Sequence, residues 1–263
     1  HSDSNVYLTE MQLWLLRQKE GQKWNNVLTT IDASDLLLSL NPSTTFHEES
    51  LPQITVGTTP LEISGQTSGI GYVKERVDAT TLKSVMESSE PKVTVEKSSR
   101  GVSWGSVYGQ CIEELDNIES NGESLTISRS FYIESDASGK LEWTKVGSDH
   151  IFKVGDKVKI RLEVTSDRDL DFVQVRNQHA SCLEPQRVNS GYQWMGGRGG
   201  YLSLHDSCSD IFFSKFRKGT ATIDLEYYVT SAGDYTNGIA TVQCAYAPAY
   251  SGHSEGVRMK VLR

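Results

Sequence analysis

The side chains best suited to chemistry in this chain are four cysteines, six histidines and a set of aromatics, and their spacing argues mostly against catalysis. Cys111, Cys182, Cys208 and Cys244 lie far apart, without the Cys-x-x-Cys spacing of zinc and redox sites. They permit three disulfide pairings in an oxidising compartment; buried, reduced thiols acting as small apolar groups are the other reading. His47-Glu48-Glu49 and His205-Asp206 set potential ligands side by side. Neighbours on a strand face opposite ways and both runs are polar loops, so neither reads as a metal site. No Gly-x-Ser-x-Gly supports a Ser-His-Asp triad, and a hydrolase would need a pocket gathering His179 or His205 with an acid and a nucleophile. Gly196-Gly197-Arg198-Gly199-Gly200 lacks the Gly-Lys-Ser/Thr ending of a phosphate loop and reads as a flexible loop. No catalytic residue, metal site or cofactor is expected. The aromatics Trp143, Tyr192, Trp194 and Tyr201 raise sugar stacking as a possibility, against the commoner use of such rings in cores and corners of sandwiches.

These residues need a frame, and the chain is long enough for one: 263 residues can bury a core without metal or disulfide support. The net charge of -8 argues against nucleic acid as a partner, because phosphate binding needs a basic surface. The longest apolar cluster, Leu36-Leu37-Leu38-Ser39-Leu40, falls far short of the roughly 20 residues that span a bilayer. The chain opens at His1 with no basic, apolar leader, which suggests a removed signal or an excised piece of a longer protein.

Residues 5–41 are the helical region. Leu8, Met11 and Leu15 share a face, Gly21 interrupts, and Thr29-x-x-Asp32 has the form of a capping box ahead of Ala33, Leu36, Leu37 and Leu40. The two wide apolar faces of such a hairpin exceed what they can bury on each other, as in a unit of a larger helical array. From Ser43 onward short β-like runs follow: Ile54 to Val56, Leu61 to Ile63, Ile70 to Val73, Thr80 to Val85, Val93 to Val95, and Val102 with Trp104. Past Ser124 the period-two pattern is clean. Leu125, Ile127, Phe131 and Ile133 alternate, then Val158, Ile160, Leu162 and Val164 against Lys157, Lys159, Arg161 and Glu163. Asn177 to Ser203 reads as a long irregular stretch, and Ile211-Phe212-Phe213 with Phe216 as a compact apolar cluster. Ala221 to Val229, a turn at Ser231-Ala232-Gly233-Asp234 and Ile239 to Tyr246 read as a hairpin, and Val257, Met259 and Val261 close the sheet. The expected fold is mainly β, antiparallel β-sandwich domains behind an N-terminal α-helical hairpin.

The last stretch resembles the final domain of bacterial alpha-2-macroglobulins of the Bacteroidetes type. The residues that carry this are Gly219 with the strand through Tyr227, Gly233-Asp234, Gln243-Cys244-Ala245-Tyr246-Ala247-Pro248 and Ser251-Gly252-His253-Ser254. Upstream, Ser181-Cys182-Leu183-Glu184-Pro185, Ser190-Gly191-Tyr192-Gln193-Trp194 and Gly155-Asp156-Lys157-Val158 are similar to segments of the same domain. Trp14 to Lys19, with Trp24 and Thr29-Thr30, is similar to the last hairpin of the family's helical toroid.

The resemblance implies three parts: residues 1–42 ending the toroid, 43–120 a β-rich intermediate domain, and 121–263 the C-terminal macroglobulin-type sandwich. It implies a non-catalytic scaffold fragment of an exported, periplasmic or cell-surface protease trap, anchored in one version as a lipoprotein. Its partners would be the remainder of the parent chain and, through the whole molecule, target proteases. The family's thioester needs Cys-x-Glu-Gln; Cys111-Ile112-Glu113-Glu114 and Cys182-Leu183-Glu184-Pro185 imitate its first three positions without the Gln, so no thioester is expected here. The family pattern also implies a Cys182–Cys244 disulfide, with Cys111–Cys208 as a second pair by elimination. The alternative reading is a secreted sandwich that binds carbohydrate or protein through Tyr192, Trp194 and Tyr201.

Overall fold

The computed structural model describes residues 2–18, 24, 26–39, 52–63, 74–86, 92–98, 105, 107–110, 112–137, 140–187 and 189–263. The chain is mainly β and divides into two compact units, residues 1–17 with 27–107 and residues 18–26 with 108–263.

The first unit holds α1 (Ser2–Arg17), α2 (Val27–Ser39), β1 (Gln53–Val56), β2 (Thr59–Leu61), α3 (Ala79–Met86) and β3 (Val93–Glu96). The two expected N-terminal helices are present, but α2 begins at Val27, so Thr29 lies inside the helix and is not its cap. β1 sits between β2 and β3, both antiparallel to it, and Gly57 at φ 62° turns the chain so that Val56 meets Thr59. The strand expected over Thr80 to Val85 is instead α3. Leu82, Val85 and Met86 have helical spacing, which outweighs the β-branched content. The runs at 70–73, 102 and 104 lie outside the described residues.

The second unit is a sandwich of β4 (Asn121–Gly122), β5 (Leu125–Ala137), β6 (Lys140–Val146), β7 (Ile151–Lys153), β8 (Lys157–Ser166), β9 (Leu170–Gln178), β10 (Leu183–Pro185), β11 (Gly191–Met195), β12 (Arg198–Leu204), β13 (Cys208–Phe216), β14 (Gly219–Val229), β15 (Gly233–Thr236), β16 (Ala240–Cys244), β17 (Ser251–His253) and β18 (Arg258–Leu262). One sheet runs β10-β14-β8-β5-β6; the facing one runs β11-β12-β13-β9-β16-β17-β4. A three-stranded sheet, β15-β18-β7, joins the same core, with Phe152, Met259 and Val261 buried. The period-two reading holds along β8 and β14. Val158, Ile160, Leu162 and Val164 are sealed at 0% exposure, and Ala221, Ile223, Leu225, Tyr227 and Val229 alternate with exposed neighbours.

The expected hairpin between β14 and β16 does not form. β14 pairs with β8 and β10, whereas β16 pairs with β9 and β17 in the opposite sheet. The presumed turn at 231–234 instead leads into β15, which pairs with β18. Residues 177–203 are not irregular either: they hold β10, β11 and β12. Within the glycine run only Gly196 and Gly197, at φ 54° and 75°, make the turn, while Gly199 and Gly200 lie in β12. A Cβ on Gly200 would come within 2.9 Å of the Phe213 ring, so its glycine is a packing requirement, not a source of flexibility.

One end of the sandwich has a polar interior. Arg129 points inward from β5 and donates through its Nη1 and Nη2 to the carbonyls of Gln178, Asn237, Gly238 and Glu255 at 3.0, 3.1, 2.6 and 3.5 Å. Burial pushes its pKa down to about 10, against a smaller opposing effect of Glu255. Beside it, Asn177 Nδ2 donates to the Tyr227 hydroxyl (3.3 Å), and the His179 ring tilts over Tyr227 with centroids 4.9 Å apart.

Candidate functional site

Tyr192, Trp194 and Tyr201 stand on the outer face of the seven-stranded sheet. Tyr192 is directly opposite Tyr201 on the neighbouring strand, and the two rings meet edge to face, centroids 5.2 Å apart at 74°. Trp194 lies opposite Gly199, against which its indole packs closely enough that a Cβ there would sit 3.7 Å from the ring. Tyr192 and Trp194 are 80% and 77% exposed, so neither is core.

The face continues past the residues expected from sequence. Tyr201 pairs with Phe212 on β13, which is 43% exposed and therefore not part of the apolar cluster its neighbours form. Period two predicts this split: Ile211 and Phe213 point in, so Phe212 points out. Across β9, Phe172 is half-exposed and meets Tyr246 edge to face at 5.0 Å and 87°. Phe172 carries the one positive non-glycine φ among the described residues, 55°. Its carbonyl accepts from Ala245 N–H at 2.9 Å, which ties the strained residue to the segment bearing Tyr246. No local signal in the sequence marks Phe172 or Tyr246, since both depend on which strands become neighbours.

Trp143 belongs to a different surface. It lies half-buried on the outer face of the five-stranded sheet, with Lys159 Nζ 4.5 Å from its ring centroid; the same ammonium is 5.4 Å from Tyr132 and 3.7 Å from Asp224. Arg161 grips Asp224 through two bonds of 2.7 and 2.8 Å, which holds that carboxyl below the usual range despite burial. The ring is thus covered by a cation and is not presented for stacking on a sugar.

Neither histidine assembles a hydrolytic site. His205 Nε2 is 3.2 Å from Ser203 Oγ and 3.6 Å from Asp210 Oδ2. In a triad the acid must hold Nδ1 while Nε2 faces the nucleophile, and here both contacts fall on Nε2. Asp210 is moreover held by Arg176 through two bonds of 2.8 and 2.9 Å and by Gln174 at 3.0 Å. His179 is buried, with its pKa lowered by desolvation and no nucleophile bonded to it. Among the described residues no three His, Cys, Asp or Glu side chains form a metal-binding group. No helix there is long and apolar enough to cross a membrane.

The cysteines depart from expectation. Cys182, Cys208 and Cys244 are free thiols, and Cys111 lies outside the described residues. Cys244 is in register with Val173 and donates to the Asp171 carbonyl at 3.2 Å. Cys182 packs on Met259 Sδ at 4.0 Å, and its carbonyl accepts from Thr230 N–H beyond the far end of β14. From Val173 to the end of β9 alone is about 16 Å at strand rise, and a disulfide tolerates about 7 Å between Cα atoms. The Cys182–Cys244 bridge is therefore not made. Burial raises the Cys182 thiol to about 11, leaving it a small apolar group.

Residues 125–249 match the family model of the bacterial alpha-2-macroglobulin MG10 domain. This segment runs from the first residue of β5 past the end of β16 and holds most of both facing sheets, so the fold is a macroglobulin-type β-sandwich. Over this segment, just under half of its length, the chain is similar to the alpha-2-macroglobulin family. No curated protein matches it. Among solved structures it is similar to Escherichia coli alpha-2-macroglobulin activated by porcine elastase, at 14% identity and TM-score 0.49, covering 99% of this chain and 23% of that one. It is also similar to Salmonella alpha-2-macroglobulin reacted with methylamine, at 15% identity and TM-score 0.43, covering 88% and 14%. A third is native E. coli alpha-2-macroglobulin from domain MG7 to the C-terminus, at 12%, TM-score 0.42, covering 54% and 24%. The chain thus spans at most about a quarter of the length of these structures.

Proposed function

We propose that this chain is a non-catalytic scaffold portion of an exported alpha-2-macroglobulin-like protease trap, working in the periplasm or at the cell surface. The observation that carries the reading is the MG10 match over residues 125–249. Its partners are the rest of its parent chain and, through the whole molecule, the proteases that the parent takes up. The two N-terminal helices support a place within a larger helical assembly: Leu8, Met11 and Trp14 of α1 and Leu28 and Ile31 of α2 are exposed, an apolar surface that a finished protein rarely leaves in water. The test incubates the full-length parent with a broad-specificity protease and follows its shape by small-angle scattering and native electrophoresis. A compacted, protease-retaining form is expected, and this chain alone should leave the protease's activity unchanged. A parent that is cut without changing shape refutes the reading, as does inhibition by the isolated chain.

A second reading, carbohydrate binding, draws on the exposure of Tyr192 and Trp194. Glycan binding by the chain that is lost on Trp194→Ala would establish it.

A further inference from the structure

The stretch that leads into the sandwich, residues 112–122, lies along its outside, and none of its residues is buried. It crosses the connection between β17 and β18 and is held there at three places. β4 pairs with β17, Gly122 opposite Gly252 and Asn121 opposite His253. Gly256 N–H donates to the Ile118 carbonyl at 2.8 Å. Arg258, whose Nε holds Asp234 at 2.7 Å, reaches Asp116 Oδ2 with its Nη1 at 3.1 Å. The seat is shaped for close approach. A Cβ on Gly252 would come within 2.6 Å of the Leu125 carbonyl oxygen and 3.0 Å of that of Asn121, and one on Gly256 would fall on the carbonyl of Leu115.

The same connection bounds the polar interior from its other side. The Glu255 carbonyl accepts from Arg129 Nη2 at 3.5 Å, and it shares one peptide group with the Gly256 N–H that donates to Ile118. A peptide group is planar, so this one cannot turn away from residues 112–122 without also turning away from the guanidinium. A second route runs one residue further along. The Val257 carbonyl accepts from Asn237 N–H at 2.9 Å, and the Asn237 carbonyl takes Arg129 Nη1 at 3.1 Å. Hydrogen bonds in such chains polarise and strengthen one another. The outer attachment is by contrast weak: a two-residue pairing, one backbone bond and an ion pair from an exposed arginine, which is worth little in water. Segments with so few buried apolar contacts open locally at low cost.

We propose that residues 112–122 form a releasable strap, and that its seating on Gly252 and Gly256 controls the access of water to the Arg129 cluster. Seated, the strap fixes the 254–257 connection, and with it the carbonyl of Glu255 and the bond from Asn237. Detached, it leaves that connection free to shift, and the carbonyls around Arg129 exchange its guanidinium for water. The coupling is reciprocal, so weakening the hold of Arg129 also frees the strap. The chain enters residues 108–263 of the second unit through this stretch, and a pull arriving along the backbone is thereby converted into opening at the polar end. All the bonds involved lie within the second unit, so the proposal does not rest on the protease-trap reading.

The experiment is amide hydrogen exchange of the full chain, read residue by residue, paired with digestion by a glutamate-specific protease whose cuts at Glu113, Glu114 and Glu119 are identified by mass. Gly256→Ala, which sets a methyl against the Leu115 carbonyl, unseats the strap; Arg129→Lys loosens the interior. Exchange is taken relative to Ile160 and Val175, which report global opening. Gly256→Ala is expected to speed both the cuts in the strap and the relative exchange of Asn237 N–H by at least about tenfold, and Arg129→Lys to speed the same cuts. If circular dichroism shows that Gly256→Ala does not fold, Arg258→Ala, which removes only exposed ion pairs, takes its place with the same expected signs. Faster cutting with unchanged relative exchange at Asn237 overturns the proposal, because the strap is then a passive tether. So does Arg129→Lys with unchanged cutting, or a natural chain cut in the strap as fast as when unfolded in urea.

Discussion

Replacing Arg129 by methionine tests whether one buried cation organises an end of the sandwich. Methionine keeps most of the aliphatic stem and removes every donor. The carbonyls of Asn237 and Gly238, both buried, lose their guanidinium partners, while those of Gln178 and Glu255, partly buried, can turn to water. Each buried acceptor left without a donor costs about 1–3 kcal/mol. Against this, the variant no longer desolvates a charge that Glu255 compensates only in part, a burden visible in the lowered pKa of about 10. The balance is a loss of about 3 kcal/mol, or about 6–12 °C at roughly 2–4 °C per kcal/mol. Arg129→Lys keeps a charge with three donors on one nitrogen, which cannot reach carbonyls on three separated segments, and should fall between the two. Urea unfolding followed by β-sheet circular dichroism measures the difference. A methionine variant within 0.5 kcal/mol of the natural chain would refute the reasoning, as would a lysine variant less stable than the methionine one.

The other predictions concern the interior, the turn and the charged face. His179 has a folded pKa below its ordinary 6.5 because of burial, so the unfolded chain binds the extra proton. Stability should therefore be full above about pH 6.5 and decline as pH falls below it, with a shallower decline in His179→Phe than in the natural chain on urea titrations at pH 7 and pH 5. Gly196→Ala places a Cβ 2.8 Å from Thr222 N on a residue at φ 54°, and should cost about 2–4 kcal/mol of unfolding free energy; a melting point unchanged within 1 °C would count against the turn. Cys182 and Cys244 should both be alkylated when the chain is unfolded without reductant, read by peptide mass, and recovery of a linked peptide would show a bridge. Trp143→Ala removes the ring beneath Lys159 and should lower stability by about 1 kcal/mol in the same titration.

What could be read from the residues was local periodicity, and what could not was partnership between strands. Alternation alone located β8 and β14 and which of their side chains are core, because a strand's two faces are written at every second residue. The pairing of β14 with β16 failed for a physical reason. Two alternating runs with a turn-like segment between them look the same whether they pair or enter opposite sheets, and Gly233-Asp234 opens a strand of a third sheet. Glycine misled in a similar way at 196–200. Its enrichment was read as freedom, whereas Gly200 is small because the Phe213 ring lies against it. Of the candidate contact residues, Tyr192, Trp194 and Tyr201 do share a face, but Phe172 and Tyr246 join them only through tertiary packing, and Trp143 lies across the sandwich under Lys159. The cysteine pairing came from family resemblance, and the register of β9 with β16 keeps the two thiols apart.

The order of strands within the two sheets has a mechanical consequence. Going from β8 to β9, from β9 to β10, from β10 to β11 and from β13 to β14, the chain leaves one layer for the other, so each sheet is stitched from pieces far apart along the backbone. No continuous stretch of the second unit contains a closed core, and partial unfolding has no stable half to stop at. A single nick in an exposed connection, such as the one between β10 and β11, would leave two fragments clasped through strands on both sides of the cut. Such a body passes tension from one edge to the other without coming apart.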